Sequence, residues 1–247
     1  MRKRNSTPLA IGGALVALLA FAQSADRSVA VAGYPTGKYL VEILLPGAGW
    51  NAMDRIDQPL AVSEYPKYSA VVWNDLIKDP ASLGEAVHWD AENNLELLVK
   101  YVESGGVILV AGLGIPVSSS KRLRKLGPTL EVFVGISGLA VPRPKGSVRI
   151  TELGHPLFAG LDIGRGSYEW VGETSAAAAL STTAKVLAVV STETGEELPF
   201  ITVRELGRGK VYWMGTAPAR IRKANVPGVD QQAYDRVWLN ALGTPPG

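Results

Sequence analysis

The stretch from Leu95 to Ala111, LELLVKYVESGGVILVA, determines the fold class predicted for this 247-residue chain. Apolar residues recur there at the i, i+3, i+4 and i+7 spacing of one helix face, at Leu95, Leu98, Val99 and Val102. Asp90 precedes this face as a candidate cap, and Gly105-Gly106 ends the helix. Val107–Ala111 follows at once and has the composition of a strand buried on both faces. The stretch therefore predicts an α/β fold with right-handed crossovers in a parallel sheet.

Further apolar runs extend this pattern in both directions. Four of them predict strands, at Tyr39–Leu45, Tyr68–Trp73, Val148–Thr151 and Val186–Val190. Phe200–Val203 and Lys210–Met214 flank a glycine-containing turn and predict a C-terminal antiparallel hairpin. A last helix is predicted from about Gln231 to Leu242. Together these elements predict a mostly parallel sheet that ends in an antiparallel hairpin.

The N-terminus has the composition of an export signal. The basic residues Arg2–Arg4 precede the 14-residue apolar run Leu9–Ala22, which is shorter than the roughly 20 residues that span a bilayer. Ala20-Phe21-Ala22 supplies a cleavage site of the A-x-A type, and Ala22-Gln23-Ser24 is a near alternative. We therefore expect residues 1–24 to be a signal peptide and the protein to be periplasmic or extracellular. No membrane span is expected after cleavage, and an uncleaved anchor is the alternative.

The rest of the chain divides simply. Residues 25–38 are expected to form a disordered lead, residues 39–243 a single α/β domain, and residues 244–247 a tail. Removal of the first 25 residues, which hold three basic and no acidic side chains, leaves 22 basic against 23 acidic residues. A net charge of about −1 gives no support for nucleic-acid binding by bulk electrostatics.

The cysteine and histidine content excludes several kinds of chemistry. The chain has no cysteine, so it has neither disulfides nor a thiol nucleophile. Its two histidines, His88 and His155, lack the paired spacing of a zinc site. No metal, no cofactor and no catalytic residue is therefore assigned.

Three segments carry a resemblance to a known family. They are Trp73-Asn74-Asp75 with the helix–strand unit that follows, Gly154–Leu161 (GHPLFAGL) and Gly207–Gly215 (GRGKVYWMG). In this order they resemble the class I glutamine amidotransferase-like superfamily, especially its ThuA-like and β-galactosidase middle-domain branches, over residues 39–242. The resemblance implies a flavodoxin-like, doubly wound sheet with helices on both faces, and carbohydrate metabolism or subunit contact as the context.

One departure from that family decides the functional prediction. True amidotransferases carry a cysteine at the sharp turn after the third strand, where this chain has Gly112 within Ala111–Gly114. Neither histidine lies in the late His-x-Glu pattern that completes the family's triad. Glutaminase activity is therefore not expected, and the fold alone does not supply another function.

Candidate ligand-binding residues follow the predicted strands. Ligands of open α/β sheets bind beyond the carboxyl ends of the strands. This rule selects one group of residues: Gly47, Trp50, Asn74, Asp75, Gly112, Leu113 and Gly114. Asp75 could accept hydrogen bonds from sugar hydroxyls or bind a cation, and the alternative for Asn74 and Asp75 is a helix or turn cap.

Two further candidates lie later in the chain. His155 could orient a substrate or act as a general base near neutral pH, or its ring could bond a backbone group of the turn before Pro156. Glu169 and Trp170, with Glu173, supply the carboxylates and the ring of a carbohydrate site, or belong to an ordinary surface loop.

These observations favour an exported, non-catalytic binding or interaction module of the cell envelope, with a carbohydrate or an envelope protein as its partner. Two alternatives stay open. One is a sugar-active hydrolase or isomerase that uses Asp75, His155 or Glu169. The other is a structural domain that forms homo-oligomers, which a large exposed apolar patch would favour.

Overall fold

A computed structural model describes residues 27–33, 37–56, 58–74, 87, 90–111, 127–140, 147–170, 177–192, 194–218 and 231–243. The predicted signal peptide and the tail lie outside the described residues, as do Asp75, Gly112, Leu113 and Gly114. The expectations that concern them stay predictions. In the part of the chain that is described, no helix has the length and apolar character needed to cross a membrane.

The strands of the described ranges are numbered in chain order: β1 (Ser28–Gly33), β2 (Asn51–Ile56), β3 (Ala70–Asn74), β4 (Val107–Ala111), β5 (Ile136–Ala140), β6 (Val148–Ile150), β7 (Ser167–Tyr168), β8 (Ala178–Thr182), β9 (Lys185–Ser191), β10 (Glu197–Leu206) and β11 (Gly209–Met214). The helices are α1, a π-helical turn (Leu40–Leu44) that continues into an α-helical turn (Leu45–Gly47), α2 (Leu95–Glu103), α3 (Pro128–Val134) and α4 (Gln231–Leu242). Short 3₁₀ turns lie at Val62–Lys67, Pro156–Phe158 and Ile163–Arg165.

Nine strands form one mixed sheet in the order β2-β1-β3-β4-β11-β10-β9-β6-β7, and β5 pairs with β8 separately. The five neighbouring strands β2, β1, β3, β4 and β11 run parallel to one another through four pairings. The predicted hairpin is confirmed, because β10 and β11 pair antiparallel from Ile201 opposite Met214 to Leu206 opposite Gly209. The expectation of a mostly parallel sheet is wrong, since the other four pairings are antiparallel. Connections such as the two residues between β10 and β11 are too short for the crossover that parallel strands need.

The parallel strands begin at one rim of the sheet and end at the other. We call the rim where they end, at Gly33, Asn74, Ala111 and Met214, the carboxyl rim. The opposite rim, at Ser28, Ala70, Val107 and Gly209, is the amino rim. The rise along a strand is about 3.3 Å per residue, so the first and last residues of a five-residue strand, and hence the two rims, are about 13 Å apart.

Side chains of the central strands alternate between two apolar layers. Val72 of β3 and Leu109 of β4 pack on the face that carries α1, the Pro156–Phe158 turn and α4. Trp73 and Val110, the next residues along, pack on the face that carries α2 and α3. Helices therefore cover both faces, which explains why the central strands are apolar at every position.

Two predictions for the start of the domain are wrong. Residues 25–38, expected to be a disordered lead, contain β1, which lies between β2 and β3 with Val29–Ala32 fully buried. Tyr39–Leu45, expected to be a strand, instead forms the start of α1 and the residue before it, and buries Leu40 and Leu45. A short apolar run does not distinguish a strand from a buried helix. Since β1 and β2 are parallel, the segment between them has to be the crossover.

The long periodic segments match their predictions. α2 buries Leu98 and Val102, and β4 occupies Val107–Ala111. The last helix is confirmed as α4, which buries Tyr234, Val237 and Trp238 among other apolar side chains.

Candidate functional site

The chain changes direction across the sheet between β1 and β3. From β1 it crosses to β2 through α1, which packs on one face, whereas the connection from β3 to β4 includes α2 on the other face. Open α/β sheets bind ligands at such a switch point, beyond the carboxyl ends of the strands. The candidate functional site is therefore the carboxyl rim around the ends of β1, β3 and β4.

Gly33 and Asn74 lie opposite each other at this switch point. Gly33 has a φ of 122°, and a Cβ there would lie 1.9 Å from the backbone oxygen of Asn74. Only glycine allows β1 to end this close to β3. Asn74 is fully buried, and a buried amide is costly unless it is hydrogen-bonded. Asn74 therefore belongs to the packed interior at this rim.

Hydrogen bonds anchor α4 at the same rim. The Tyr234 hydroxyl donates to the backbone oxygen of Thr216, just beyond β11, at 2.7 Å, and burial raises the pKa of Tyr234 so that it stays a donor. The two oxygens of Asp235 accept from the Gln231 amide and from the Tyr39 hydroxyl, both at 2.7 Å. The end of β11 and the residue before α1 are thus tied to one helix.

Trp50, predicted to lie beside Asn74, is at the amino rim instead. It immediately precedes Asn51, which lies opposite Ser28 at the start of β1. The backbone N–H of Trp50 donates to the backbone oxygen of Leu45 at 2.9 Å, and the indole ring packs in the core. The prediction is wrong because α1 carries the chain back to the amino rim before Trp50, so Gly47 does not end a strand either.

His155 also lies at the amino rim, where it caps a turn. Its Nδ1 accepts a hydrogen bond from the Leu157 N–H at 3.2 Å at the start of the Pro156–Phe158 turn. The ring borders an open groove of about 330 Å³ that Lys185 and Glu205 also line. Burial, and next the charge of Lys210, lower the pKa of His155, so the ring is neutral at neutral pH. The geometry matches the turn-residue alternative of the sequence analysis.

Trp170 is a core residue. It is fully buried, stacks on Tyr168 with the ring centroids 4.7 Å apart, and contacts the ring of Tyr234 at 5.1 Å. A ring with no exposed face cannot stack on a sugar, so its predicted role in a carbohydrate site is wrong. Glu169 is exposed beside it, and Glu173 lies outside the described residues.

The structure thus separates most of the predicted site residues. Asn74 is at the carboxyl rim, Trp50 and His155 are at the amino rim, and Trp170 is in the core. Asp75 follows β3 directly in the sequence, but it is outside the described ranges. Within those ranges, no group of three or more His, Asp or Glu side chains is placed to hold a metal ion.

Gly33 was not among the predicted site residues, because residues 25–38 were expected to form a disordered lead. The signal was present in Ser28–Gly33, SVAVAG, a short β-branched run that ends in glycine. The predicted export signal immediately before it made this run resemble a processed leader. Thr216 was missed as well, because nothing in the sequence around it marks the burial that α4 provides.

No family model matches the sequence, and no curated protein matches it. Solved structures do. A cytoplasmic protein from Salmonella typhimurium aligns with a TM-score of 0.59 at 17% identity, over 87% of this chain and 97% of that chain. A β-galactosidase from Bacillus circulans sp. alkalophilus aligns with a TM-score of 0.55 at 15% identity, over 89% of this chain and 31% of that chain. PurLQS from Thermotoga maritima aligns with a TM-score of 0.50 at 13% identity, over 87% of this chain and 97% of that chain.

These similarities concern the fold. Identities of 13–17% support a shared architecture and nothing finer, and the neighbours fit the amidotransferase-like fold that the sequence motifs predict. The chain spans about 31% of the length of the β-galactosidases that it matches.

Proposed function

We propose that this chain is a non-catalytic binding module of the amidotransferase-like fold, with a carbohydrate ligand at the switch point between β1 and β3. The observation that carries the proposal is the packed, glycine-dependent approach of Gly33 to Asn74 at that point, in a chain without any cysteine. The parallel strands run in the order β2-β1-β3-β4-β11, which supports the flavodoxin-like assignment, since it follows the 2-1-3-4-5 order of such sheets.

The distribution of reactive groups supports binding over catalysis. A general base has to lie within about 2.6–3.2 Å of the proton that it removes, or one water away. His155 is at the amino rim, more than about 13 Å from the switch point by strand rise alone, and its Nδ1 already accepts from the Leu157 N–H. A sugar-active enzyme that combines His155 with Asp75 is therefore disfavoured.

The ligand class rests on two observations. β-Galactosidases are among the proteins that share the fold, although this chain corresponds to only part of their length. Asp75 and Gly112 follow Asn74 and Ala111, which lie side by side at the carboxyl rim. We propose Asp75 and Gly112–Gly114 as the residues that contact the ligand, because carboxylates and backbone groups both form hydrogen bonds with sugar hydroxyls.

We also propose that residues 1–24 direct export and that the module works in the cell envelope, with a glycan or an envelope protein as its partner. Cleavage after Ala22 would leave every residue of β1 in place, because β1 begins at Ser28. N-terminal sequencing of protein recovered from a periplasmic extract is expected to begin near Gln23. Full-length protein found only in the cytoplasm would contradict export.

The binding proposal is tested by screening the purified chain against a glycan array and measuring the best binder by calorimetry. Asp75→Ala is expected to lower the affinity for that glycan at least about tenfold, which corresponds to about 1.4 kcal/mol of binding free energy. The matched control is Glu42→Ala, which removes an exposed carboxylate of α1 and should leave affinity unchanged. Equal affinity in the two variants would refute the site, and turnover of a glycan that Asp75→Ala abolishes would refute the non-catalytic assignment.

A further inference from the structure

A second groove lies at the amino rim, where two of the segments that carry the family resemblance meet. GHPLFAGL contributes Leu157 and GRGKVYWMG contributes Arg208, Lys210 and Tyr212, although about 50 residues separate the two segments. Asn240 at the end of α4 completes the wall. The groove has a volume of about 330 Å³, within the range of small-molecule sites.

The glycine turn before β11 fixes the basic side of this groove. A Cβ at Gly209 would lie 2.1 Å from the backbone oxygen of Val102, so the turn packs directly against the end of α2. Arg208 bonds the same helix end, with its Nη2 donating to the backbone oxygen of Ser104 at 2.6 Å. Arg208 and Lys210, on either side of Gly209, are thereby held at the groove.

The opposite wall is fixed as well. The Asn240 amide donates to the backbone oxygens of Leu157 and Ala159, both at 3.0 Å. His155 accepts the N–H of Leu157 from the other side of the turn. The turn is therefore bonded at both its N–H and carbonyl groups, and a ligand would meet a wall that is already in place.

Tyr212 supplies a hydroxyl at this groove. The side chain is only 3% exposed, and no hydrogen bond joins its hydroxyl to any residue that the structure describes. Burial raises the pKa of Tyr212 to about 12, so the hydroxyl is protonated and can donate. Among the described residues the Tyr212 hydroxyl is not one of the fully buried polar atoms without a partner, so it is accessible from the groove and can donate to an acceptor bound there.

The charges around the groove favour an anion. Arg208 and Lys210 line it, and no acidic side chain of the described residues does. Glu205 lies 3.5 Å from Lys210 Nζ and its charge adds to the raised pKa of Tyr212, but its side chain is exposed and does not line the groove. Lys210 and Tyr212 are two residues apart on β11, so their side chains project from the same face of the sheet. The apolar lining side chains, among them Leu157, Val107 and Leu242, offer no hydrogen bonds to the body of a ligand.

We propose that this groove binds a small organic carboxylate with an apolar body, whose carboxylate is recognised by Arg208, Lys210 and the Tyr212 hydroxyl. The apolar body then lies against Leu157 and Leu242. The site is independent of the proposed carbohydrate site, because it lies at the opposite rim of the sheet.

The test uses hexanoate as the probe, with hexanol as its uncharged counterpart and acetate as the carboxylate without an apolar body. Calorimetry or chemical-shift titration of the purified chain is expected to show saturable binding of hexanoate and at least tenfold weaker binding of the other two. Binding should weaken as salt rises, because an ion pair at an open groove is screened. Equal affinity for hexanol and hexanoate, or no saturable binding of hexanoate to folded protein, would overturn the proposal.

Two variants locate the site. Tyr212→Phe is expected to lower the affinity for hexanoate about tenfold, which is the effect of losing one hydrogen bond to a charged acceptor. The melting temperature should be unchanged, because the hydroxyl makes no hydrogen bond within the described residues. Tyr65→Phe is the matched control, since the Tyr65 hydroxyl accepts from Trp73 Nε1 at 2.8 Å in the layer that contains α2, and neither residue lines the groove. It should leave hexanoate affinity unchanged. Unchanged affinity in Tyr212→Phe, or an equal loss in both variants, would overturn the proposal.

Discussion

Replacing His155 by alanine removes the acceptor of the Leu157 N–H and is expected to lower the free energy of unfolding by about 1 kcal/mol. Loss of a capping acceptor costs about 0.5–2 kcal/mol, and a 3.2 Å bond to a three-residue turn belongs in the lower half of that range. The turn matters because Leu157 and Phe158 are each only 1% exposed and pack in the layer that contains α4. His155→Asn keeps a side-chain acceptor and should cost only a few tenths of a kcal/mol.

The same bond makes part of the stability depend on pH. Nδ1 can accept from Leu157 only while the ring is neutral, and burial, followed by the charges of Lys210 and Lys185, lowers the pKa of His155 in the folded protein. A lowered pKa means that the unfolded chain takes up the proton first. The contribution is therefore fully present above the unfolded value of about 6.5 and is lost as the pH falls through the lower folded value.

Urea denaturation followed by tryptophan fluorescence at pH 8, 7, 6 and 5 measures both effects. The wild-type chain should lose stability relative to His155→Asn as the pH falls, because the asparagine cap does not titrate. Parallel profiles of the two proteins from pH 8 to pH 5 would refute the reasoning about protonation. An unchanged free energy of unfolding for His155→Ala at pH 8 would refute the capping role itself.

The remaining predictions concern the core and the switch point. Trp170→Ala should lower the free energy of unfolding by about 3–5 kcal/mol in chemical denaturation, because the ring is fully buried, whereas exposed Glu169→Ala should stay within about 0.5 kcal/mol of wild type. Equal effects would place the Trp170 ring at the surface. Gly33→Ala should cost more than about 1 kcal/mol, since its φ of 122° and the 1.9 Å approach of a Cβ to Asn74 both exclude a side chain. Gly47→Ala is its control, because a Cβ there meets nothing within 4 Å, and its melting temperature should not fall.

Sequence patterns predicted the parts of the fold whose signal is local and long. α2 and α4 each show a helical period over two or more turns, and β4 follows α2 without a gap. The boundary between β1 and α1 was wrong because both segments are short apolar runs, and only the pairing of β1 with β2 and β3 shows which of them is a strand.

The site was predictable only as far as the strand ends were. Asn74 follows from the end of β3 and the rule for parallel sheets, and its position at the carboxyl rim is what that rule requires. The predicted position of Trp50 was wrong because it depended on the segment that forms α1 being a strand. The predicted role of Trp170 in a carbohydrate site was wrong for a different reason. The ring packs against Tyr234 of α4, and no local sequence pattern contains this tertiary contact.

The groove that contains Tyr212 shows the same limit. The two segments that form its walls were recognised as motifs, but each was read as part of a fold signature. Neither segment alone indicates a site, because the donors lie on one segment and most of the apolar wall on elements far from it in the chain. Their meeting follows from the position of β11 beside β4 and from the bonds that Asn240 makes to the turn.

The most direct test of the proposed function is a chemical-shift titration of ¹⁵N-labelled protein with the best-binding glycan, with the sugar signals followed in the same sample. The account predicts that the largest amide shifts cluster at the carboxyl rim, at Gly33, Asn74 and Ala111, and that the glycan stays intact. Shifts centred on His155 and Lys185 at the amino rim, or steady conversion of the glycan, would contradict it.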